Sequence, residues 1–292
     1  MKKRYLKPPV WEANHVWLIL VIVIIFMGFP RVYTVLSTAL HIPLFIMLLG
    51  IIFRGTAFTF RYYDVDKDHT HNYYTHIFRI NSILTPFFLG VTLGAMILGR
   101  ISTDYEEGFV KIYIDPWANA FSFVLGIFTV LLFGYISSAF LSSETSLTKE
   151  ERYIYATYCK RFLIALLVAG PIFFFTAEFY EHQFVNDFFH SFLSVGCIAL
   201  ATALIPIVWV SLNRQKALLT RLITGIQVCA IIGGWLAIQF PVIVIIQDTE
   251  DLTFYNTMAN PATIKALIWA LGVGILLIFP SLFYLFKVFK SD

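Results

Sequence analysis

Long apolar runs, separated by short polar connections, dominate the pattern of this 292-residue chain. A helix that crosses the ~30 Å hydrocarbon layer of a bilayer takes about 20 residues. Eight stretches approach or exceed that length: residues 13–29, 32–53, 80–98, 117–140, 162–180, 188–212, 222–246 and 264–286. Apolar–polar alternation over ten-residue stretches, the mark of a membrane barrel, is absent. The pattern predicts an all-α, polytopic membrane helix bundle of about eight spans, a single integral-membrane domain over residues 1–292. Pro43, Pro86, Pro171, Pro206 and Pro241 fall inside these runs and predict kinks that neighbouring helices accommodate. Gly90 and Gly94 form a small-xxx-small pair, which lets two helices approach closely in lipid.

Composition strengthens this reading. Hydrophobic residues make up 59% of the chain and charged ones only 13%, against about a quarter charged in soluble domains. The first apolar run lacks a small-residue cleavage site and is followed at once by the second, so it does not read as a removable signal peptide. Cys159, Cys197 and Cys229 show no paired spacing and suggest neither a disulfide framework nor a zinc site.

The net charge of +3 becomes informative once it is mapped onto the connections. With eight crossings and a cytoplasmic amino terminus, 17 Lys and Arg residues fall on the cytoplasmic side. They include Lys2, Lys3, Arg4, Arg54, Arg61 and Arg79 in the first part of the chain. Only Arg31, Arg100, Lys111 and Lys265 fall on the far side. The positive-inside rule then places both termini in the cytoplasm. Two of the outer connections, 102–116 and 247–261, are acidic.

Several polar groups inside or beside the spans are candidates for chemistry. Glu12 and Arg54 each lie 21 residues from Tyr33, on either side of a tight turn at Phe29-Pro30-Arg31. At ~1.5 Å per residue both reach a similar depth near the cytoplasmic edge. An acid at that depth is costly unless paired or wet, which suggests an ion pair or shared water cluster. The competing reading is that both side chains snorkel to the headgroups. The connection Asp64-Val65-Asp66-Lys67-Asp68-His69-Thr70-His71 opens like a calcium loop. It fails at position 6, His69 in place of glycine, and at position 12, Thr75 in place of glutamate. A solvated loop is favoured there over metal binding by His69, His71 and His76. His41, expected mid-span, and His190, near an outer helix end, raise the question of axial haem ligation. Their depths disagree, so packing or interhelical hydrogen bonding is favoured. Glu178, Glu181, His182 and Asp187 fit a proton exit, a partner contact or an ordinary hydrated turn equally well.

Two stretches carry a resemblance. Pro9-Val10-Trp11-Glu12-Ala13-Asn14-His15-Val16-Trp17 and Phe53-Arg54-Gly55-Thr56-Ala57-Phe58-Thr59-Phe60-Arg61 resemble the paired signature of subunit II of the cytochrome bd family of quinol oxidases. Its usual form reads P-V-W-D-G-N-x-V-W and then L-R-G-x-A-F-x-F-R. Thr85-Pro86 with Leu89-Gly90-Val91-Thr92-Leu93-Gly94-Ala95, Pro116-Trp117-Ala118-Asn119, and Gly234-Trp235 through Pro241 extend the similarity over nearly the whole chain.

The resemblance implies a haem-free subunit that packs against a haem-bearing subunit I. Haems b and d would be in that partner, and no cofactor would be bound by this chain alone, a structural quinone aside. It further implies quinol oxidation coupled to reduction of O2 to water, in a bacterial cytoplasmic membrane. Lipid and the quinol of the complex are the remaining partners, and no nucleic acid is expected. Proton-path residues carried over are Glu12, Asn14 and Arg54, with Trp11, Trp17, Gly55 and Arg61 as structural motif positions. The absence of Gly-Arg-Gln-Pro-Trp, the quinol-loop motif of subunit I, agrees with this assignment.

Two departures stand out. Glu12-Ala13 replaces the family's Asp-Gly, which keeps the carboxylate but extends it by one methylene. Family members also begin with a further helix bearing Asp-Gly-Phe-Asp-Leu-Gly, and this sequence starts just after that point, leaving eight expected helices where the family has nine. The alternatives from other classes are a secondary transporter, for which the prolines should pair in inverted repeats, and a purely structural membrane subunit.

Overall fold

The computed structural model describes residues 9–63, 69–104, 106–144, 147–180, 184–247 and 249–290, with side chains outside the description at 9–16, 62–63, 69–71 and 285–290. It is all-helical in its spans, as expected. Seven helices among the described residues are long and apolar enough to cross a membrane, or eight if one bent pair counts as a single span. The chain packs as two compact units, Met1–Thr38 with Leu252–Asp292, and Ala39–Asp251.

The first unit is built on α1 (Pro9–Gly28), α2 (Pro30–Ala39) and α12 (Pro261–Lys290). The axes of α1 and α2 differ by 115°. Pro30 has no N–H to donate to the Phe26 carbonyl, and α1 ends at Gly28; the Gly28 carbonyl accepts from the Ala259 amide at 2.8 Å. Trp17 meets Phe279 of α12 edge-on at 5.9 Å, and Phe29 meets Phe254 at 5.4 Å. This break corrects the second apolar run. Residues 32–53 are not one helix: the next span, α3 (His41–Tyr63), starts only after α2 has ended. The equal count from Tyr33 to Glu12 and Arg54 assumed a straight helix and no longer measures depth.

In the second unit α3 forms a hairpin with α4 (His69–Leu98). A short α5 (Phe109–Tyr113) leads to α6 (Ala120–Ser142), which packs between α4 and α7 (Lys149–Phe179). The run expected at 188–212 is three pieces, α8 (Phe184–His190), α9 (Phe192–Ala203) and α10 (Ile205–Asn213). Ser191 caps α9 through the Ser194 amide, and Pro206 sits in the first turn of α10. The last helix of the unit is α11 (Ala217–Gln239). Pro241 prevents its continuation to 246. The β-branched run from Val242 to Ile246 instead extends, with strand β1 at Val242–Val244. There the Ile245 amide donates to Met96 O at 3.1 Å and the Gln247 amide to Ile101 O at 2.9 Å.

Close helix approach occurs where the glycines were noted. A Cβ on Gly90 would lie 2.6 Å from the Leu125 carbonyl oxygen, and one on Gly94 would lie 2.7 Å from Ser122 Cα. Both clashes are with backbone, so α4 and α6 pack at this distance only without side chains there. Helices α4 and α7 begin eleven and thirteen residues earlier than hydropathy suggested. Polar sequence carries them beyond the apolar run. Thr148 caps α7 from the Glu151 amide while Glu151 returns to the Thr148 amide, a capping box readable as T-x-x-E.

The buried interior is not purely apolar. The Tyr135 hydroxyl of α6 donates to Gln227 Oε1 of α11 and lies 3.3 Å from Thr224 Oγ1. Gln227 Nε2 donates to the Ala201 carbonyl of α9 at 2.9 Å, and Ser211 and Thr220 share a 2.7 Å hydrogen bond between α10 and α11. Around this lattice pack Leu132, Cys159, Leu163, Val208 and Ile223.

Charge separates between the two ends of this unit. The Arg221 guanidinium donates to Ser143 O at 2.9 Å and to Glu144 at 3.2 Å, which brings the start of α11 beside the end of α6. Lys149, Arg152, Arg214 and Lys216 share that end by connectivity. The opposite end, where α4 finishes beside β1, carries Asp104, Glu106, Glu107 and Asp251. Lys111, one turn beyond Glu107, holds that carboxyl below its ordinary range.

Two outcomes test this architecture. With the basic end cytoplasmic, an impermeant maleimide applied outside should label Glu250→Cys and leave Glu150→Cys unmodified; labelling of both would reject the topology. Gly94→Val should cost about 3 kcal/mol or more through overpacking. Recovery of folded protein in mild detergent should fall sharply, and parent-like recovery would mean that the α4–α6 seam yields easily.

Candidate functional site

Arg54 is the sequence-predicted site residue whose side-chain surroundings are described most fully. Gly50 and Arg54, four residues apart on α3, both face α4. Gly55 and Ala57 are buried and Arg54 half-buried. The Arg54 guanidinium carbon lies 5.4 Å from the centroid of Phe78 on α4, within the range of cation–π attraction. Phe58 flanks the same ring at 6.4 Å, and Phe60 stacks on Tyr74 at 5.6 Å. These aromatic contacts fix the hairpin's register and hold a cation inside a span. Arg54 Nε is buried, with no hydrogen-bond partner among the described residues.

One turn further along α4 from Phe78 stands Asn81, 7% exposed. Its Nδ2 donates to Ile77 O at 2.8 Å, and its Oδ1 lies 3.7 Å from where a Cβ on Gly50 would be. Thr85 follows one turn deeper. Its hydroxyl oxygen lies 2.6 Å from that same Gly50 position and has no hydrogen-bond partner among the described residues. Asn81 and Thr85 were not singled out as site residues from the sequence. The available signal was a polar pair at i and i+4 in an apolar helix, directly before Pro86.

The other expected residues are placed as follows. Trp11, Glu12 and Asn14 lie on the first turns of α1, but their side chains fall outside the described residues. The Trp17 ring meets that of Phe279 edge-on. Arg61 is exposed near the end of α3. His41 is not mid-span: it is the first residue of α3, and its ring meets Tyr113 edge-on at 5.1 Å. His190 ends α8, with Nδ1 2.8 Å from Asn186 O. Both histidines thus make packing or local hydrogen-bond contacts. Asp64 to Asp68, and Glu181 with His182, lie outside the described residues. Among the described residues no group of three or more His, Cys, Asp or Glu side chains is arranged to hold a metal ion.

Known proteins agree with this architecture. The family model described as cytochrome bd terminal oxidase subunit II matches residues 7–289. Cytochrome bd ubiquinol oxidase subunit 2 of Bacillus subtilis strain 168 is 24% identical over 264 residues, 89% of this chain and 75% of that protein. Cytochrome bd-I ubiquinol oxidase subunit 2 of Escherichia coli K12 is 24% identical over 126 residues, 42% of this chain and 32% of that protein. In fold, a chain of the bd oxidase from Geobacillus thermodenitrificans superposes with a TM-score of 0.77 at 20% identity, covering 97% of this chain and 84% of that one. The chain therefore belongs to the subunit II family of cytochrome bd terminal oxidases, multi-pass membrane components of an oxidoreductase complex.

Proposed function

We propose that this chain is the haem-free subunit of a bd-type quinol oxidase in a bacterial cytoplasmic membrane. It packs on a haem-bearing subunit I, supports quinol oxidation coupled to reduction of O2 to water, and supplies part of a cytoplasmic proton path. The family match over residues 7–289 carries the assignment.

Haem b and haem d belong to the partner in this reading. His41 starts a helix with its ring against Tyr113, and His190 Nδ1 lies beside Asn186 O, contacts that support the packing reading of both histidines. What this chain contributes is a scaffold and polar side chains within the spans. Reduction of O2 consumes protons, and a route from the cytoplasm to a buried site needs a titratable group at its wet end. Glu12 is assigned that role, with Asn14 two positions along α1. Arg54 supplies a fixed positive charge inside its span, which favours anions and polar water over bare apolar packing.

Two experiments test the assignment. Glu12→Gln keeps size and hydrogen bonding but removes the titratable proton. Oxygen consumption by the assembled complex should fall by roughly tenfold or more, with haem content preserved, while Glu12→Asp retains activity. A Gln variant that consumes oxygen and builds membrane potential like the parent would remove Glu12 from the path. The purified chain alone should show no stoichiometric haem and no oxidase activity, and co-expression with subunit I should give a haem-containing complex. A strong Soret band from the isolated chain would overturn the division of labour between the subunits.

A further inference from the structure

Hydroxyl side chains in apolar helices usually return their hydrogen bond to a carbonyl three or four residues back. Here Thr56 does so to Ile52 O, Thr92 to Phe88 O, Thr129 to Leu125 O, Thr176 to Ile172 O and Thr202 to Ile198 O. Thr85 does not: its buried hydroxyl has no partner among the described residues. Pro86, lacking an N–H, also leaves the Ser82 carbonyl without its i+4 donor. Thr85 lies midway along the span Asn72–Leu98. Unsatisfied polar groups are costly at that depth, and buried polar sites of this kind are ordinarily completed by water.

Arg54, Asn81 and Thr85 stand in file. Arg54 is level with Phe78, Asn81 is three residues beyond Phe78 on α4, and Thr85 is four residues beyond Asn81. By helical rise the file extends inward from the level of Arg54 by about 10 Å. It lies on one seam, since both Asn81 Oδ1 and Thr85 Oγ1 approach Gly50. Two members carry a buried polar atom with no partner among the described residues, Arg54 Nε and Thr85 Oγ1, and between them the Asn81 side-chain oxygen faces the same seam at Gly50.

The geometry points to a water-bridged proton relay along the α3–α4 seam, with Thr85 as its transfer group at mid-membrane and Arg54 and Asn81 as positioning residues. It rests on the proton-path reading above and extends it to residues that reading does not contain. Arg54 Nε–H donates to the outer water and stays protonated throughout. Asn81 Oδ1 accepts from the water beside it. An excess proton on that water, carried as hydronium, passes to Thr85 Oγ while Thr85 releases its own hydroxyl proton to an acceptor water further in, so the donor returns to water and the acceptor becomes the hydronium. Two O–H bonds form as two break, and neither Thr85 nor Asn81 changes its net charge.

The test uses the complete oxidase reconstituted in vesicles. Thr85→Val keeps the shape and removes the hydroxyl; Thr85→Ser restores it. The Val variant should lower quinol-driven oxygen consumption by roughly tenfold and raise the H2O/D2O rate ratio, with the haem spectrum unchanged and the Ser variant near the parent. A Val variant with parent-like turnover and isotope ratio overturns the relay. If the Val variant does not assemble, Thr85→Cys offers a weakly hydrogen-bonding group of similar size, and the same two outcomes decide. Glu12→Gln is measured in parallel. A slow Thr85→Val beside a normal Glu12→Gln keeps the relay and rejects only the assignment of Glu12; the reverse rejects the relay and keeps Glu12.

Discussion

Hydrocarbon offers no hydrogen bonds, so every polar group taken into a span must be answered by the protein or by water carried with it. Within the second unit this constraint decides which helices touch. Tyr135, Gln227 and the Ala201 carbonyl satisfy one another across α6, α11 and α9, and Ser211 with Thr220 does the same between α10 and α11. Apolar contacts, Leu132 and Val208 among them, fill the space around these bonds but carry no direction of their own. The hydrogen bonds select one. Where α4 meets α6 the selection is steric instead, because Gly90 and Gly94 leave backbone against backbone.

Bilayer thickness made most of the fold readable, since runs of twenty apolar residues have few other uses. What hydropathy missed has a common cause: it measures affinity for lipid and not the direction of the chain. Residues 30–39 are apolar enough to join the next run, yet Pro30 turns them off the axis of α1. Residues 242–246 are equally apolar, yet Pro241 and β-branching make them extended. His41 was misplaced for the same reason, moving from the middle of an assumed helix to the first residue of a real one.

The site was partly readable for a different reason. Arg54 and Gly55 stand in a motif, and a cation in an apolar run attracts notice without any structure. Asn81 and Thr85 do not, because single Asn and Thr residues are common in membrane helices and normally satisfy themselves. Thr85 became conspicuous only once its neighbours Thr92 and Thr129 were seen to be bonded and it was not. That contrast exists in three dimensions alone.

The 115° bend between α1 and α2 bears on how the protein is made. Between residues 13 and 53 the emerging chain offers some forty mostly apolar residues, punctuated by little more than Arg31 and His41. A translocon sensing hydrophobicity alone meets no clear instruction about where the first span ends. The Gly28-Phe29-Pro30 turn supplies one: α1 ends at Gly28 and α2 starts at Pro30 on a new axis, whereas Pro86 and Pro171 sit inside continuous helices. A short amphipathic segment that buries Val32 and Val35 while exposing Arg31 and Thr34 can then float sideways until the next span begins. The turn at Gly28-Phe29-Pro30, closed by the Ala259 amide on the Gly28 carbonyl, thereby bears on the count of crossings on which the sidedness of every later loop depends.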